Sequence, residues 1–463
     1  MADVNPYASR SLDVGPGPTN VRWQVFGLSC GASWILYLHR YVFALIKPAL
    51  AQEWDVDLVS LGAMDSVFYA SYLVCQVPSG LAADLVGSRL FLGSIIVAWS
   101  ICLALHALAP GLKSMYVVRL LFGITQAGAY PTLSKVSRAW FPFSIRTSLQ
   151  GWVASFFGRA GGASANVLFA AVMLGMIGMP WRTAVLILSA AGVALGVAVL
   201  VVLRNTPAEH PRTNDAERRL IAAEPAVEIP ASDVSPSSSD RLAPPAGEFW
   251  RSISARSARN MLYFLAQGFC ATFADAVFVT WVPYFLREVH GLDYGRMGVY
   301  SALPLIGGAC GGLAGGYLND LLLRVVPSRR WARSLVGATG MGLACLLAFA
   351  ALLVYSNPYA FCLVLMLSKF FGDWSQPTVW GTVTDIAGSK TATVFGLVNG
   401  VGGIGALVAP VMLGAVATEY SWAIVFVVVA VTYAVGATCW LLVNCTIPLF
   451  AIPLVASPSS TEV

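Results

Sequence analysis

Four basic side chains, Arg40, Arg119, Arg159 and Lys369, fall inside runs of the chain that are otherwise apolar, together with the acids Asp65, Asp275 and Asp373 and with His39. Placing an ionisable group in so apolar a setting costs about 2.5 to 3.5 kcal/mol on membrane-insertion scales, so each either serves a function or is neutralised by a partner. Guanidinium groups suit the capture of a carboxylate, phosphate or sulfate, because their planar fork meets two oxygens at once. Acids and histidine suit the gain and loss of a proton. Other chemistries find no footing. The nine cysteines lack CxxC spacing and histidine neighbours of metal-ligand type, and no HExxH or cluster of His and Asp supports an enzyme. No cofactor, metal or disulfide is expected.

Spacing sorts the candidates further. Lys369 and Asp373 are four residues apart, the spacing of an intrahelical ion pair that neutralises both. Arg119 precedes Gln126 by seven residues, two helical turns, so the two share roughly one face. Asp275 has no partner nearby in sequence; it either titrates for ion coupling or pairs with an arginine from elsewhere. Arg40 lies deep in the first apolar run, where it either meets an anion or snorkels to the outer surface. Arg159, amid Phe157-Gly158-Arg159-Ala160-Gly161-Gly162, offers a second anion-binding cation or the partner of an acid within the membrane.

The elements that must position these groups are membrane spans. The chain has 463 residues, 57% hydrophobic and only 11% charged, with a mean hydropathy of +0.72, whereas a soluble domain carries about 25% charged residues. Apolar runs near 23–47, 60–82, 89–109, 114–137, 146–175 and 183–204 form one set of six. Runs near 258–284, 295–318, 333–355, 358–383, 391–417 and 422–445 form a second. A span takes about 20 apolar residues, so the fold class expected is an all-α polytopic membrane protein of twelve helices in two six-helix bundles, over 23–204 and 258–445. Residues 1–22 and 446–463 are expected to be tails, and the Pro- and Ser-rich stretch 205–257 a linker with too little apolar surface to order itself fully. Of the 28 Lys and Arg residues, 19 fall on the side of the linker and termini, and five (Lys47, Lys113, Arg182, Arg287, Arg296) in loops on the other. Both termini are therefore expected in the cytoplasm. The net charge of +5 is a matter of topology, and no nucleic-acid partner is implied.

The halves repeat each other. Gly80-Leu-Ala-Ala-Asp84-Leu-Val-Gly87-Ser-Arg89 follows the second run, and Gly316-Tyr-Leu-Asn-Asp320, then Arg324, Arg329 and Arg330, follows the eighth. Each sets an acid and basic residues at a turn where charge pairs can latch helix ends. Such repeats are expected of a transporter that rocks two halves about a site at the membrane midplane. Glycines at 307–308, 311–312 and 315–316, and again over 400–405, suit close helix approach.

The loop GLAADLVGSR and Arg119-Leu-Leu-Phe-Gly123 resemble signatures of the major facilitator superfamily. Tyr37-Leu-His-Arg40, Tyr72-Leu-Val-Cys-Gln76-Val-Pro78-Ser-Gly80, Ala129-Tyr-Pro131, Arg138-Ala-Trp-Phe-Pro142, Asn205-Thr-Pro-Ala-Glu-His-Pro211, Trp281-Val-Pro-Tyr-Phe-Leu286, Trp380 to Asp385, Asn399 and Pro410 resemble its anion:cation symporter family. That group includes hexuronate, galactonate and glucarate permeases, sialin and vesicular glutamate carriers. The resemblance implies that Arg40 holds a substrate carboxylate and that Tyr72, Trp380 and Asn399 line the cavity, with Tyr37 a further polar candidate. It also implies uptake driven by protons, yet Gln126 stands where coupled members have a glutamate and His39 where they have an aspartate. His39 and Asp275 are then the coupling candidates, or His39 is simply a helix-contact histidine. The function expected is secondary active transport of a small organic anion, a sugar acid or dicarboxylate, across the inner membrane by a monomer coupled to a proton or counter-anion. The alternatives are an anion exchanger or organophosphate carrier, and a membrane sensor that keeps the fold without transport.

Overall fold

Backbone amides in hydrocarbon have no partner but one another, so apolar runs of this length fold as helices. The computed structural model describes residues 17–142, 145, 149–222, 253–387 and 391–449, apart from the side chains of Ser155, Asp320 and residues 391–393. The first half contains α1 (Val21–Trp54), α2 (Leu58–Val86), α3 (Ser88–Leu108), α4 (Leu112–Gln126), α5 (Ala129–Trp140), α6 (Gly158–Ser164) and α7 (Trp181–Val202). α8 (Asp215–Ala222) lies in the linker. The second half contains α9 (Ala255–Thr280), α10 (Val282–Glu288), α11 (Tyr294–Val325), α12 (Arg329–Leu353), α13 (Pro358–Trp374), α14 (Gln376–Ala387), α15 (Thr391–Glu419) and α16 (Trp422–Leu442). Among the described residues there is no strand, and nine helical stretches are long and apolar enough to cross a membrane. The other three crossings are α1, which carries charge, and the interrupted pairs α4–α5 and α13–α14.

The interruptions have a chemical cause. Pro131, Pro283 and Pro377 sit in the first turns of α5, α10 and α14, where the N–H that proline lacks would be orphaned anyway. α6 is flanked by wider π-helical turns, Trp152–Phe157 and Ala165–Met176. Its small residues bring it onto α1: a Cβ on Gly161 would strike the Trp34 backbone, and Trp34 Nε1 donates to Ser164 Oγ at 3.0 Å. The glycines of α11 divide into two stripes. Gly307, Gly311 and Gly315 press against backbone carbonyls of Met366, Phe370 and Trp374 on α13, whereas Gly308 and Gly312 leave room for Asp373 and Arg159.

The halves close on each other at the ends remote from the linker. Ser66 Oγ donates to the Leu407 carbonyl at 2.6 Å, Ser301 Oγ to Asn166 Oδ1 at 2.7 Å, and Lys47 Nζ to the Thr280 carbonyl at 3.0 Å. Gly62 lies against Pro410, Gly175 against Gly295, and Gly414 against Leu58. Among the described residues, no hydrogen bond joins the linker-side ends of α2 and α5 to those of α14 and α15.

The linker is more ordered at its start than its composition suggests. Glu217 of α8 is fully buried and accepts from Val21 N at 3.1 Å, Arg22 N at 3.0 Å, Arg22 Nη1 at 3.2 Å and the Thr19 hydroxyl. It thus caps α1, whose own Asn20 does not. Asn214 Nδ2 donates to the Gly17 carbonyl at 2.7 Å, and His210 stands edge-on to Trp140 at 5.7 Å.

At the turns, charged groups of one helix meet groups of another. Asp84 joins Lys135 of α5 at 3.0 Å rather than Arg89, while Arg89 Nε donates to the Leu200 carbonyl at 2.7 Å. In the second half Asp385 binds Arg329 at 2.5 Å and Arg333 at 3.1 Å, and Arg333 Nη1 donates to Asn319 Oδ1 at 3.1 Å. The side chain of Asp320 lies outside the described residues. At the first turn both the acid and the base engage neighbouring helix ends, and at the second Arg329 and Arg333 engage the end of α14. Lys47, read as a loop residue, lies instead inside α1 and is fully buried.

Candidate functional site

Arg40 sits among aromatic rings, its guanidinium carbon 5.0 Å from the Tyr37 ring centroid, 5.2 Å from Phe68 and 4.7 Å from Tyr72. Cation–π contacts stabilise a charge without consuming its hydrogen bonds. Nε donates to Gln126 Oε1 at 3.1 Å, and Gln126 Nε2 donates to the Leu36 carbonyl at 3.3 Å, which fixes the amide. Nη2 is buried without a hydrogen-bond partner. No carboxylate among the described residues lies within ion-pair distance of Arg40, so its charge is uncompensated within the protein and one of its donors is free.

The second cluster joins the halves. Arg159 Nε of α6 lies 3.4 Å from Asp373 Oδ2 of α13. Asp373 Oδ1 accepts from Lys369 Nζ at 2.6 Å, the four-residue pair expected. Lys369 also holds Asp275, so the acid without a partner nearby in sequence pairs with a lysine of its own half rather than an arginine of the other. Two cations face two anions here, and the cluster is neutral. Its exposed members are Arg159, at 31%, and Asp275, at 41%.

Tyrosines connect the two clusters. Gly158, beside Arg159, leaves space filled by Tyr37 and Tyr130, and Gly162 leaves space filled by Tyr41. Tyr37 and Tyr41 meet edge-to-face at 6.0 Å. Tyr41 lies within electrostatic reach of both Arg40 and Asp275, and Tyr37 within reach of Arg159. The Tyr37 ring thus lies between the two arginines, with the Arg40 guanidinium over it and Gly158, next to Arg159, packed against its edge.

Arg119 shares the Phe68 ring with Arg40, its guanidinium carbon 4.7 Å from the centroid, but has an acidic partner. Its Nη2 binds Asp65 Oδ1 at 2.8 Å and its Nε donates to the Met64 carbonyl at 3.2 Å. Lys47 holds the other Asp65 oxygen and lies 4.0 Å from the Trp281 ring centroid. Arg119 and Gln126 thus serve different partners despite their shared helix face. His39 points away from Arg40 into the packing of α1 against α7. Its Nε2 donates to the Leu188 carbonyl at 3.0 Å, and its Cε1 fills the space left by Gly192. Trp380 meets Phe395 in a tilted ring pair at 4.2 Å and Asn399 is exposed; neither is among the hydrogen-bond, ion-pair or ring partners of the two arginines.

Lys47 and Tyr41 escaped the sequence reading as members of the site. Lys47 lies seven residues, two turns, after Arg40, and that spacing on one helix face was the available signal.

The model of the Major Facilitator Superfamily matches residues 29–345. The chain is 27% identical over 425 residues, 91% of it and 94% of the relative, to "Probable sulfoacetate transporter SauU" of Cupriavidus necator. It is 26% identical to "Probable galactarate/D-glucarate transporter GudP" of Bacillus subtilis, covering 88% of the chain and 89% of the relative. It is 25% identical to "D-galactonate transporter" of Escherichia coli O6:H1, covering 88% and 92%. Among solved structures, a bacterial homolog of the human lysosomal transporter Spinster superposes with a TM-score of 0.73 at 16% identity, over 91% of this chain and 97% of that one. The nucleoside transporter NupG does so with 0.65 at 15% identity, over 91% and 99%. Helical architecture, superposition and family match agree: the chain is a multi-pass membrane protein that belongs to the major facilitator superfamily, a transporter and not an enzyme.

Proposed function

We propose that the protein carries a small organic anion with two acidic groups, a sugar diacid or a comparable dianion, by alternating access, with proton-driven uptake across the inner membrane and both termini in the cytoplasm. The observation that carries this reading is Arg40: a cation without an acidic partner, with a buried free donor, sharing its surroundings with a second, partly exposed arginine. One acidic group meets Arg40 and the other Arg159, while Gln126 orients the Arg40 fork and Tyr37 and Tyr72 flank it. The relatives named for sulfoacetate, galactarate and glucarate support a dianion, since each of these molecules carries two acidic groups.

Coupling is assigned to Asp275, the exposed acid of the neutral cluster. Protonating it would release Lys369 to Asp373 alone and lend the region one more positive charge for a second anionic group. His39, held in helix packing, is set aside. Because Gln126 cannot titrate, exchange of anions without protons stays as the second reading. Purified protein in liposomes with an imposed pH gradient separates the two: uphill accumulation of labelled galactarate or sulfoacetate that follows the gradient supports symport, and gradient-independent counter-flow supports exchange.

A further inference from the structure

The two oxygens of Asp373 differ in their attachment. Oδ1 accepts from Lys369 Nζ at 2.6 Å. Oδ2 belongs to a side chain only 7% exposed, faces Arg159 Nε at 3.4 Å and has no hydrogen-bond partner. A buried carboxylate oxygen in ionic contact but without a hydrogen bond retains most of its desolvation cost, so it is the loosest polar contact of the cluster. Around it, Gly308 lets the carboxylate sit against α11, and a Cβ on Gly312 would still be 3.7 Å from Arg159 Nη1, which leaves the guanidinium room to turn. Asp373 can leave Arg159 and stay bound to Lys369, and Arg159 can turn to another anion.

On the reading of Arg40 and Arg159 as the anion-binding pair, we propose that Asp373 is the resident anion of the Arg159 subsite, neutralising it in the empty carrier and yielding to the second acidic group of the bound substrate. No covalent step is involved; one carboxylate replaces another on a guanidinium. A hydroxyl offers too little to displace a carboxylate from a charge-assisted contact, so the exchange selects dianions over monoanions. It also returns Arg159 to Asp373 on release, which keeps binding from becoming too tight for turnover. Because α6 and α13 belong to opposite halves, Asp373 then acts as a specificity-determining residue at their interface.

The test is direct binding by calorimetry with galactarate and sulfoacetate as dianions and galactonate as the monoanion. Asp373→Asn removes the competitor and leaves Lys369 paired with Asp275. It is expected to bind both dianions about tenfold tighter and galactonate within threefold of wild type, with slower dianion turnover. In the Arg159→Gln background the same substitution should change nothing, because coupling through contact appears as non-additivity. Dianion binding that is unchanged or weaker in a folded Asp373→Asn, or tightening that persists without Arg159, overturns the proposal. If Asp373→Asn does not fold, infrared difference spectra of wild type with ¹³C-labelled aspartate serve instead. A carboxylate band shifted by galactarate, untouched by galactonate and absent in Arg159→Gln, is expected, and no such shift overturns the proposal. Failure of wild type to bind any of the three probes removes the two-arginine reading and the inference with it; binding without the Asp373 effect removes the inference alone.

Discussion

Lys47 of α1 reaches across the interface between the halves to donate to the Thr280 carbonyl of α9 at 3.0 Å while its charge rests on Asp65. Asp65 in turn holds Arg119, so one of the contacts that close the end remote from the linker is anchored in a buried triad of the first half. A fully buried ammonium with two such partners is costly to strand and strongly directional, which favours this closed arrangement.

Lys47→Met is expected to loosen that closure while leaving Asp65 paired with Arg119. Distances between spin labels at the linker-side ends, on Leu85→Cys and Val325→Cys in a background without native cysteines, should shift toward shorter values as the population moves to the other conformation. An unchanged distance distribution would place Lys47 in packing alone.

Asp275→Asn should abolish pH-driven accumulation and keep counter-flow, since exchange needs only the loaded carrier to reorient. His39→Gln should retain accumulation, because its ring serves the α1–α7 contact. Loss of accumulation in His39→Gln with Asp275→Asn unaffected would reverse the assignment.

Glu217 gives a pH dependence outside the membrane. Burial pushes its carboxyl up, and the hydrogen bonds from Arg22, Thr19 and Val21 with the Arg22 charge outweigh this, holding it below the ordinary 4.5. A group whose folded value is depressed contributes stability above its unfolded value and loses it as pH falls through the folded one. Wild type should therefore melt above Glu217→Gln at neutral pH, by a margin corresponding to about 1 to 2 kcal/mol for a helix cap. The margin should close as the pH falls below 4.5, and parallel melting curves down to pH 3 would count against the cap.

What could be read from the sequence was local. Apolar runs announce helices, and Lys369 with Asp373 declares itself because one helix turn brings them together. The contacts of Arg159 with Asp373, Asp275 with Lys369, and Lys47 with Asp65 depend on the rotation and register of helices far apart in the chain, which no single-helix period encodes. Asp84 is instructive: the turn sequence offers it bases but names no partner, and the packing of α5 against α2 brings Lys135 to ion-pair distance. The same holds for His39, whose place beside Arg40 in sequence puts it on a different helix face.

Arg40→Lys isolates the fork from the charge. Lysine keeps the cation but cannot donate to Gln126 and to a carboxylate in one plane. Transport should fall at least 100-fold with normal membrane insertion, and near-normal uptake would reduce Arg40 to a point charge.

The central claim, that two arginines read two acidic groups, is tested most directly by counter-flow in liposomes comparing labelled galactarate and galactonate in wild type and Arg159→Gln. Placing a neutral side chain at 159 should cut galactarate exchange at least tenfold more than galactonate exchange. Equal loss for both, or no loss for either, would contradict the account.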